Sequence, residues 1–193
     1  MNVQNAGTRL PISRAANTPA PAPVDLEGLS ASAYGALARS FREKGQADLA
    51  DRYTLEAAKA AADGTEALKY AAQRYGPKAD ASAPMNEYIR SDAPYVASPE
   101  IQVKAAGLAA TKLTDFDKAV WALRDNPCQS KDANTLVIKR IVDLAKDSDL
   151  LRKVMPLVKA LGSPEGIAYA QAAIKSKPKP SFWTLLFRGL QQL

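Results

Sequence analysis

Residues 33–58 read AYGALARSFREKGQADLADRYTLEAA, and this stretch decides the fold class because it holds two helix patterns on either side of one glycine. Ser30 or Ser32, just before the stretch, can cap the amino end of the first helix. Gly45 can adopt the left-handed conformation that ends a helix, and a second helix follows from about Ala47. The stretch therefore predicts two antiparallel helices joined by a short turn.

Similar helix signals recur along the rest of the chain, whereas strand signals are nearly absent. A third short helix is predicted for residues 65–75. Ser98 and Ser163 each precede a proline that suits the first helical position, and Thr114 with Asp117 resembles a capping box. The helices predicted in this second half of the chain span about 99–111, 115–125, 133–146, 149–161 and 164–176.

Proline placement and connection length set the expected architecture. Pro156 lies inside the fourth of these later helices and should kink it or split it into two pieces. The short connections place neighbouring helices antiparallel. We therefore predict an all-α fold, built either as a repeat-like stack of antiparallel hairpins or as an irregular helical bundle.

Prolines and charged residues divide the chain into five predicted segments. Alternating alanine and proline before residue 28 favour an extended chain without a core. The segments are a disordered tail (1–27), an N-terminal helical hairpin block (28–76), a proline-rich linker or loop (77–98), a C-terminal helical block (99–176), and a basic hinge with an amphipathic terminal helix (177–193).

The composition argues against several classes of active site. The chain has no histidine, which removes the commonest general base and the commonest transition-metal ligand. Cys128 is the single cysteine and is predicted to lie in a loop. Asp115 and Asp117 lie at a predicted helix start, and Ser148 within residues 147–149 can cap the next helix, so capping explains these polar groups. We expect no catalytic activity, no cofactor and no metal.

The net charge of +6 lies entirely in the last third of the chain. From residue 139 onward, ten basic residues face four acidic ones. A basic surface can meet nucleic acid, an anionic membrane or an acidic protein, and it can also be a plain solvated surface. Asp143, Asp147 and Asp149 interrupt the basic cluster around Lys139, and no nucleic-acid-binding motif is present. Nucleic acid is therefore not expected as a partner.

The spacing of bulky and small residues in the first predicted hairpin has a known counterpart. The pattern consists of Tyr34, Leu37, Ala38 and Phe41 on the first helix, Gly45 at the turn, and Ala50 and Ala57 on the second helix. It resembles one unit of the tetratricopeptide repeat over residues 31–64. Thr54 and Gly64 depart from that family, which prefers an aromatic residue and a proline there, and Tyr53 lies one position early.

A weaker resemblance lies at residues 154–174, VMPLVKALGSPEGIAYAQAAI. This segment is similar to armadillo or HEAT repeats, in which a proline opens one helix and alanines line the next. Both resemblances imply antiparallel helix pairs that stack because no pair can bury its apolar face alone.

The resemblance to helical repeats implies a non-catalytic protein–protein interaction module, an adaptor, scaffold or regulatory subunit that binds a peptide or helix of another protein. Tetratricopeptide-like stacks present their first helices to the ligand, so Arg39 and Arg42 are the candidate contacts for an acidic peptide. One alternative is a bacterial secreted effector or injected cargo whose N-terminal tail is an uncleaved export leader. We expect a cytoplasmic location, or secretion without a cleaved signal, since no stretch of the chain is long and apolar enough to span a membrane.

The C-terminal segment 181–193, SFWTLLFRGLQQL, predicts an amphipathic helix whose apolar face needs a cover. Its candidate partner-binding residues are Phe182, Trp183, Leu186, Phe187 and Leu190. A basic patch on the preceding hinge consists of Lys175, Lys177 and Lys179, and this hinge is expected to uncouple the helix from the body. The possible covers are the chain's own body, a groove on a partner, a second copy, or an anionic membrane to which the protein would bind peripherally. We expect a partner or a second copy.

Overall fold

The structure of the protein, a computed structural model, describes residues 28–72 and 97–179. These residues contain eight α-helices and no strand, and 79% of them are helical, which confirms the all-α prediction. The helices are α1 (Ala31–Glu43), α2 (Ala47–Ala60), α3 (Gly64–Ala72), α4 (Pro99–Lys112), α5 (Phe116–Asp125), α6 (Lys131–Leu144), α7 (Ser148–Leu161) and α8 (Pro164–Ser176). The predicted tail (1–27), most of the predicted linker (77–98) and the terminal helix (181–193) lie outside the described residues.

Serine side chains begin four of the helices. The cap residues are Ser30 of α1, Ser98 of α4, Ser130 of α6 and Ser163 of α8. Each accepts a hydrogen bond from the backbone N–H three residues later, at 3.3–3.4 Å. These bonds satisfy one of the free N–H groups at each helix start. Helix α6 begins two residues earlier than predicted, because Ser130 caps it.

Aspartate side chains begin α5 and α7, and here two predicted caps are wrong. The cap of α5 is Asp115 and not Thr114, and its carboxylate accepts from Lys118 N–H at 2.9 Å. The cap of α7 is Asp147 and not Ser148. A charged carboxylate is a stronger acceptor than a hydroxyl at the positive end of a helix, which explains both differences.

Helix α7 runs without interruption through Pro156, so the predicted split of this helix is wrong. A proline removes one backbone N–H from the helix ladder, and the other bonds of α7 remain. Contacts with α6 and α8 hold the two halves of the helix in place. The resemblance to armadillo repeats expects the helix to open at this proline, whereas α7 begins eight residues earlier, at Ser148.

The eight helices form four consecutive hairpins, which we call units 1 to 4. The paired helices are α1 with α2, α3 with α4, α5 with α6, and α7 with α8. The second helices of the units contact one another in series, since α2 contacts α4, α4 contacts α6, and α6 contacts α8. This order of contacts is that of a repeat-like stack of hairpins.

The helix caps recur at a constant spacing along the chain. The N-caps of α4, α6 and α8 lie 32 and 33 residues apart, at Ser98, Ser130 and Ser163. The C-caps of the same helices lie 32 residues apart, at Leu113, Ala145 and Lys177. Unit 2 is longer than units 3 and 4 because residues 73–96 separate α3 from α4. The second helices of units 2 to 4 thus recur with a nearly constant period, as is typical of a stack of helical hairpins.

Polar side chains join the amino ends of successive second helices. Each of the three acceptors lies in the first two turns of one second helix and binds the cap serine N–H of the next. The pairs are Asp51 with Ser98 at 3.3 Å, Gln102 with Ser130 at 2.9 Å, and Thr135 with Ser163 at 3.0 Å. Because the same ends of α2, α4, α6 and α8 meet, these four helices run parallel in one row.

Cationic side chains join the carboxyl ends of the same row. Lys112 donates to Ala61 O at 2.6 Å, Arg140 Nε donates to Leu113 O at 2.7 Å, and Lys177 donates to Ala145 O at 2.6 Å. A cation at the carboxyl end of a helix satisfies free carbonyl groups and meets the negative end of the helix dipole. Each junction between units is therefore tied at both ends.

Small residues allow the helices of unit 1 to approach closely. The side chains of Ala38, Ala50 and Ala57 are fully buried, as the resemblance to a tetratricopeptide repeat expects. Gly45, at the turn between α1 and α2, has a φ of 72°, a conformation that favours glycine. Tyr53 fills the place of the expected aromatic residue, since its ring stacks on that of Phe41 with the centroids 5.3 Å apart.

The hydrophobic core continues from unit 1 to unit 4. Fully buried residues include Leu68 of α3, Leu123 of α5, Ile138 of α6 and Leu151 of α7, and all belong to one cluster. Helices from both predicted blocks, 28–76 and 99–176, contribute to this cluster.

Candidate functional site

A groove lies between α4 and α6 on the outer side of the row of second helices. Its lining residues are Ala110, Thr111, Leu136, Lys139, Arg140 and Asp143, and its volume is about 390 Å³. Gly107 on α4 lies beside it, and a Cβ atom at this position would make an ordinary van der Waals contact with Leu136 Cδ1 at 3.7 Å. The result is a shallow, open surface depression lined by apolar and charged side chains, which we call the α4–α6 groove.

Tyr169 of α8 lies at one edge of the α4–α6 groove. Its hydroxyl donates to Asp143 at 2.9 Å, and the ammonium group of Lys139 lies 5.8 Å from the centre of its ring. Lys139 also pairs with Glu165 at 2.6 Å. These contacts hold the ring in position, although 41% of the side chain is exposed to solvent. An exposed, ordered tyrosine beside a groove is a typical contact residue in protein interfaces.

The charged groups at the groove are stabilised in their ordinary ionisation states. The hydrogen bond to Glu165 raises the pKa of Lys139 above its usual value, so this side chain stays positive. The hydrogen bond to Asp143 is the main cause that raises the pKa of Tyr169, so the phenol stays neutral. Arg140 is engaged through Nε with Leu113 O. The groove thus presents a fixed cation, a carboxylate and an aromatic ring, which suits recognition of a polypeptide.

Cys128 lies in a loop, as predicted, and its side chain is buried there. Burial raises the pKa of its thiol to about 12. The Asn134 side chain accepts from the Cys128 N–H at 2.8 Å and donates to its carbonyl at 3.0 Å, which anchors the loop on α6. A thiol that stays protonated is a poor nucleophile, so this residue has a structural place in the fold. Within residues 28–72 and 97–179, no three potential metal ligands of the types His, Cys, Asp and Glu converge.

The two arginines predicted to bind an acidic peptide do not share one surface. Arg39 is exposed on α1. Arg42 is only 8% exposed, and its guanidinium forms an ion pair with Asp51 of α2. The expectation that Arg42 meets a peptide does not fit this burial, because the last turn of α1 lies against α2. Its charge is already compensated within unit 1.

The three lysines of the basic patch on the hinge also differ in their exposure and contacts. Lys175 and Lys179 are exposed, whereas Lys177 donates its hydrogen bond to the end of α6. The next carbonyl, Pro178 O, accepts from Ser148 N–H at the start of α7 at 3.1 Å. The hinge is therefore attached to the stack as far as residue 178, and it does not uncouple the chain there. The predicted contact residues of the terminal helix, Phe182, Trp183, Leu186, Phe187 and Leu190, lie outside the described residues.

The groove residues did not emerge from the sequence patterns, although a signal for them existed. Leu136 and Tyr169 both lie six residues after the cap serine of their helices, Ser130 and Ser163. The equal spacing of these cap serines is visible in the sequence and indicates equivalent positions on successive units. Aligning the chain on these serines would have placed Leu136 and Tyr169 on one surface.

Comparisons of the chain with protein-family models, with curated proteins and with solved structures found no match. The likeness to helical repeats therefore rests on the residues and the helix contacts described above. None of the helices in the described part of the chain is long and apolar enough to cross a membrane.

Proposed function

We propose that this chain is a non-catalytic protein–protein interaction module, an adaptor, scaffold or regulatory subunit, that binds a peptide or helix of another protein. The observation that supports this proposal most directly is the α4–α6 groove with the exposed ring of Tyr169 at its edge. The stacked hairpins support it further, because such stacks form extended surfaces for other polypeptides. Under this proposal, the likeness of unit 1 to a tetratricopeptide repeat and of unit 4 to an armadillo or HEAT repeat reflects the same use.

The chemistry of the groove defines the kind of segment that it accepts. Leu136 offers an apolar contact for one aliphatic or aromatic side chain of the ligand. Lys139 and Asp143 follow it one and two turns further along the same face of α6, and they favour a ligand with both an acidic and a basic residue on that side. The partner is thus a short peptide of mixed charge with one apolar anchor, which replaces the acidic peptide expected from Arg39 and Arg42.

A displayed peptide library, selected against the full chain, tests this proposal. Binding of the selected peptides is then measured by fluorescence anisotropy for the unchanged chain and for the variants Leu136→Ala and Tyr169→Ala. We expect each variant to lose about tenfold or more in affinity, as truncation of a central contact residue does. Trp121→Ala is the matched control, because Trp121 is an exposed aromatic residue on α5 that does not line the groove. Peptides that bind all variants equally would contradict the proposed site.

The two other functions considered from the sequence rest on other parts of the chain. The export leader of a secreted effector falls in residues 1–27, and the membrane-binding helix falls in residues 181–193, both outside the described residues. They stay predictions from sequence alone.

A further inference from the structure

Helix α8 leaves open a set of positions that are buried in the other second helices. The positions are the fourth, eighth and eleventh residues after the N-cap. They are Ala50, Thr54 and Ala57 in α2, Gln102, Ala106 and Ala109 in α4, and Asn134, Ile138 and Ile141 in α6, and all nine are buried. In α8 the same positions hold Ile167, Gln171 and Ile174, of which Gln171 is exposed and the two isoleucines are only partly buried.

The first helices show the same difference at the eighth residue after the N-cap. Ala38 of α1 and Leu123 of α5 are fully buried there, whereas Met155 of α7 is only partly buried. Unit 4 therefore has an open face that contains Met155, Ile167, Gln171 and Ile174. Its composition is mainly apolar, and an uncapped apolar end is unstable in a stack of helical units.

The spacing of the helix caps indicates where the next helix of the chain would start. After α4 and α6 the next N-cap follows two residues beyond the C-cap, at Asp115 after Leu113 and at Asp147 after Ala145. The C-cap of α8 is Lys177, so the same register starts another helix near residue 179. Pro180 then falls at the first helical position, which proline favours.

Length and polarity of the remaining chain agree with this register. Residues 181–193 would form a helix of about 20 Å at 1.5 Å per residue, close to the length of α7. Its helical projection places Phe182, Leu185, Leu186 and Leu193 on one side and Thr184, Arg188, Gln191 and Gln192 on the other. One side suits the open face of unit 4, and the other suits contact with solvent.

We propose that residues 181–193 bind to the open face of α7 and α8 in the same chain and cover it. The bonds of Lys177 to Ala145 O and of Ser148 N–H to Pro178 O bring the start of this segment to the edge of the open face. A segment tethered so closely has a high effective concentration, which favours it over a second copy or a separate partner. This occupant differs from the partner or second copy expected from the sequence.

Thiol labelling in the full chain tests the proposal. Gln171→Cys places a thiol in the centre of the open face, and Ala172→Cys places one next to it on the exposed outer side of α8. With a maleimide reagent we expect Cys at 171 to react at least about tenfold more slowly than Cys at 172, because a covered thiol must wait for the segment to detach. Adding Leu186→Asp should raise the rate at 171 and leave the rate at 172 unchanged. Cys128 contributes little to the labelling, since it is buried and its pKa is about 12.

Three results would overturn the proposal, and each points to another occupant. Equal labelling rates at 171 and 172 at all protein concentrations would show that the face is open. Protection at 171 that is lost on dilution, together with a change from dimer to monomer in light scattering, would show that a second copy covers it. Protection that requires vesicles of phosphatidylcholine and phosphatidylglycerol would show that the segment and the face bind lipid.

Discussion

The junction between units 1 and 2 and the junction between units 3 and 4 each bind the N–H of a cap serine, but they use different polar groups to do so. In the first, the Asp51 carboxylate accepts from the buried Arg42 guanidinium and from the Ser98 N–H. In the last, the Thr135 hydroxyl accepts from the Ser163 N–H at 3.0 Å and donates to the Ser163 hydroxyl at 2.9 Å. An ion pair thus holds one cap serine, and a neutral pair of hydroxyls holds the other.

The junctions between units thus share the same hydrogen-bond geometry but not the same type of residue. Each cap serine N–H needs an acceptor on the preceding second helix, and a carboxylate, an amide and a hydroxyl all supply one. The consequences for stability are unequal, however. Removing one partner of a buried ion pair leaves an uncompensated charge, whereas removing a hydroxyl leaves one unsatisfied neutral group.

The largest loss of stability is expected at the junction between units 1 and 2, which contains the ion pair of Arg42 and Asp51. Asp51→Ala leaves the Arg42 guanidinium buried without its counter-charge and should lower the free energy of unfolding by about 3–5 kcal/mol. Urea denaturation followed by circular dichroism measures this loss. In the double variant Arg42→Met with Asp51→Leu no charge remains, so it should be clearly more stable than Asp51→Ala alone. If the double variant were the less stable of the two, the ion pair would not be the reason for the loss.

A smaller loss of stability is expected at the junction between units 3 and 4, where an added side-chain atom would crowd the Thr135 hydroxyl. A Cβ atom added at Gly166 would lie 2.8 Å from Thr135 Oγ1, so Gly166→Ala must displace the hydroxyl that binds Ser163. Overpacking of this kind costs about 1–3 kcal/mol, which thermal or urea denaturation detects.

Two further variants isolate the cause at Gly166. A Thr135→Ala background removes the two closest atoms and leaves only the Cβ atom of residue 135, at 3.3 Å, so Gly166→Ala should then cost much less. Gly107→Ala is the matched control, because a Cβ there meets only ordinary contact at 3.7 Å and should stabilise the chain by about 0.5–1 kcal/mol. Equal losses at positions 107 and 166 would mean that the helical glycines matter for another reason.

The smallest expected effect is a pH dependence of the free energy of unfolding that comes from the Cys128 thiol. Burial raises the pKa of the Cys128 thiol from 9.0 to about 12, so between these values the folded protein binds a proton that the unfolded chain releases. The stability from the neutral thiol is therefore fully present below pH 9 and is lost as the pH rises. Between pH 8 and pH 10 the loss is on the order of 1 kcal/mol.

Urea denaturation at pH 8 and at pH 10 measures this slope. Cys128→Ala should reduce it, although the variant itself is less stable at both pH values because of the smaller side chain. Tyr70 and Tyr169 also have raised pKa values and contribute equally to both proteins, so the difference between the two slopes reports the thiol. Identical slopes would contradict the assignment to Cys128.

The sequence predicted well those features that depend on neighbouring residues. Ser98 and Ser163 were identified as caps because capping joins a side chain to a backbone group three residues away. Helix α8 was predicted with its observed bounds, and the pattern of small residues at Ala38, Ala50 and Ala57 in the first hairpin corresponds to fully buried positions. The choice between Ser148 and Asp147 as a cap failed, since both residues are capable acceptors one position apart.

The candidate site was much less accessible to sequence analysis. Arg39 and Arg42 lie on one side of a predicted helix, yet only the structure shows that Asp51 takes up Arg42 and leaves Arg39 exposed. The α4–α6 groove joins residues from two helices, and Tyr169 reaches it across 26 residues of sequence through Asp143. Such contacts depend on how units stack, which no local pattern encodes.

By itself the sequence determined the helices of this protein, most of their ends, and the apolar sides that make them stack, because capping and amphipathic spacing act within a few turns of the chain. The tertiary structure alone decided which polar side chains serve as ties between units and which remain on the surface. Asp51, Gln102 and Thr135 share no residue type, and they become equivalent only when parallel second helices bring each one to the cap serine of the next unit. Their roles follow from their positions in the stack. Each one accepts a hydrogen bond from a serine backbone N–H that would otherwise lack a partner.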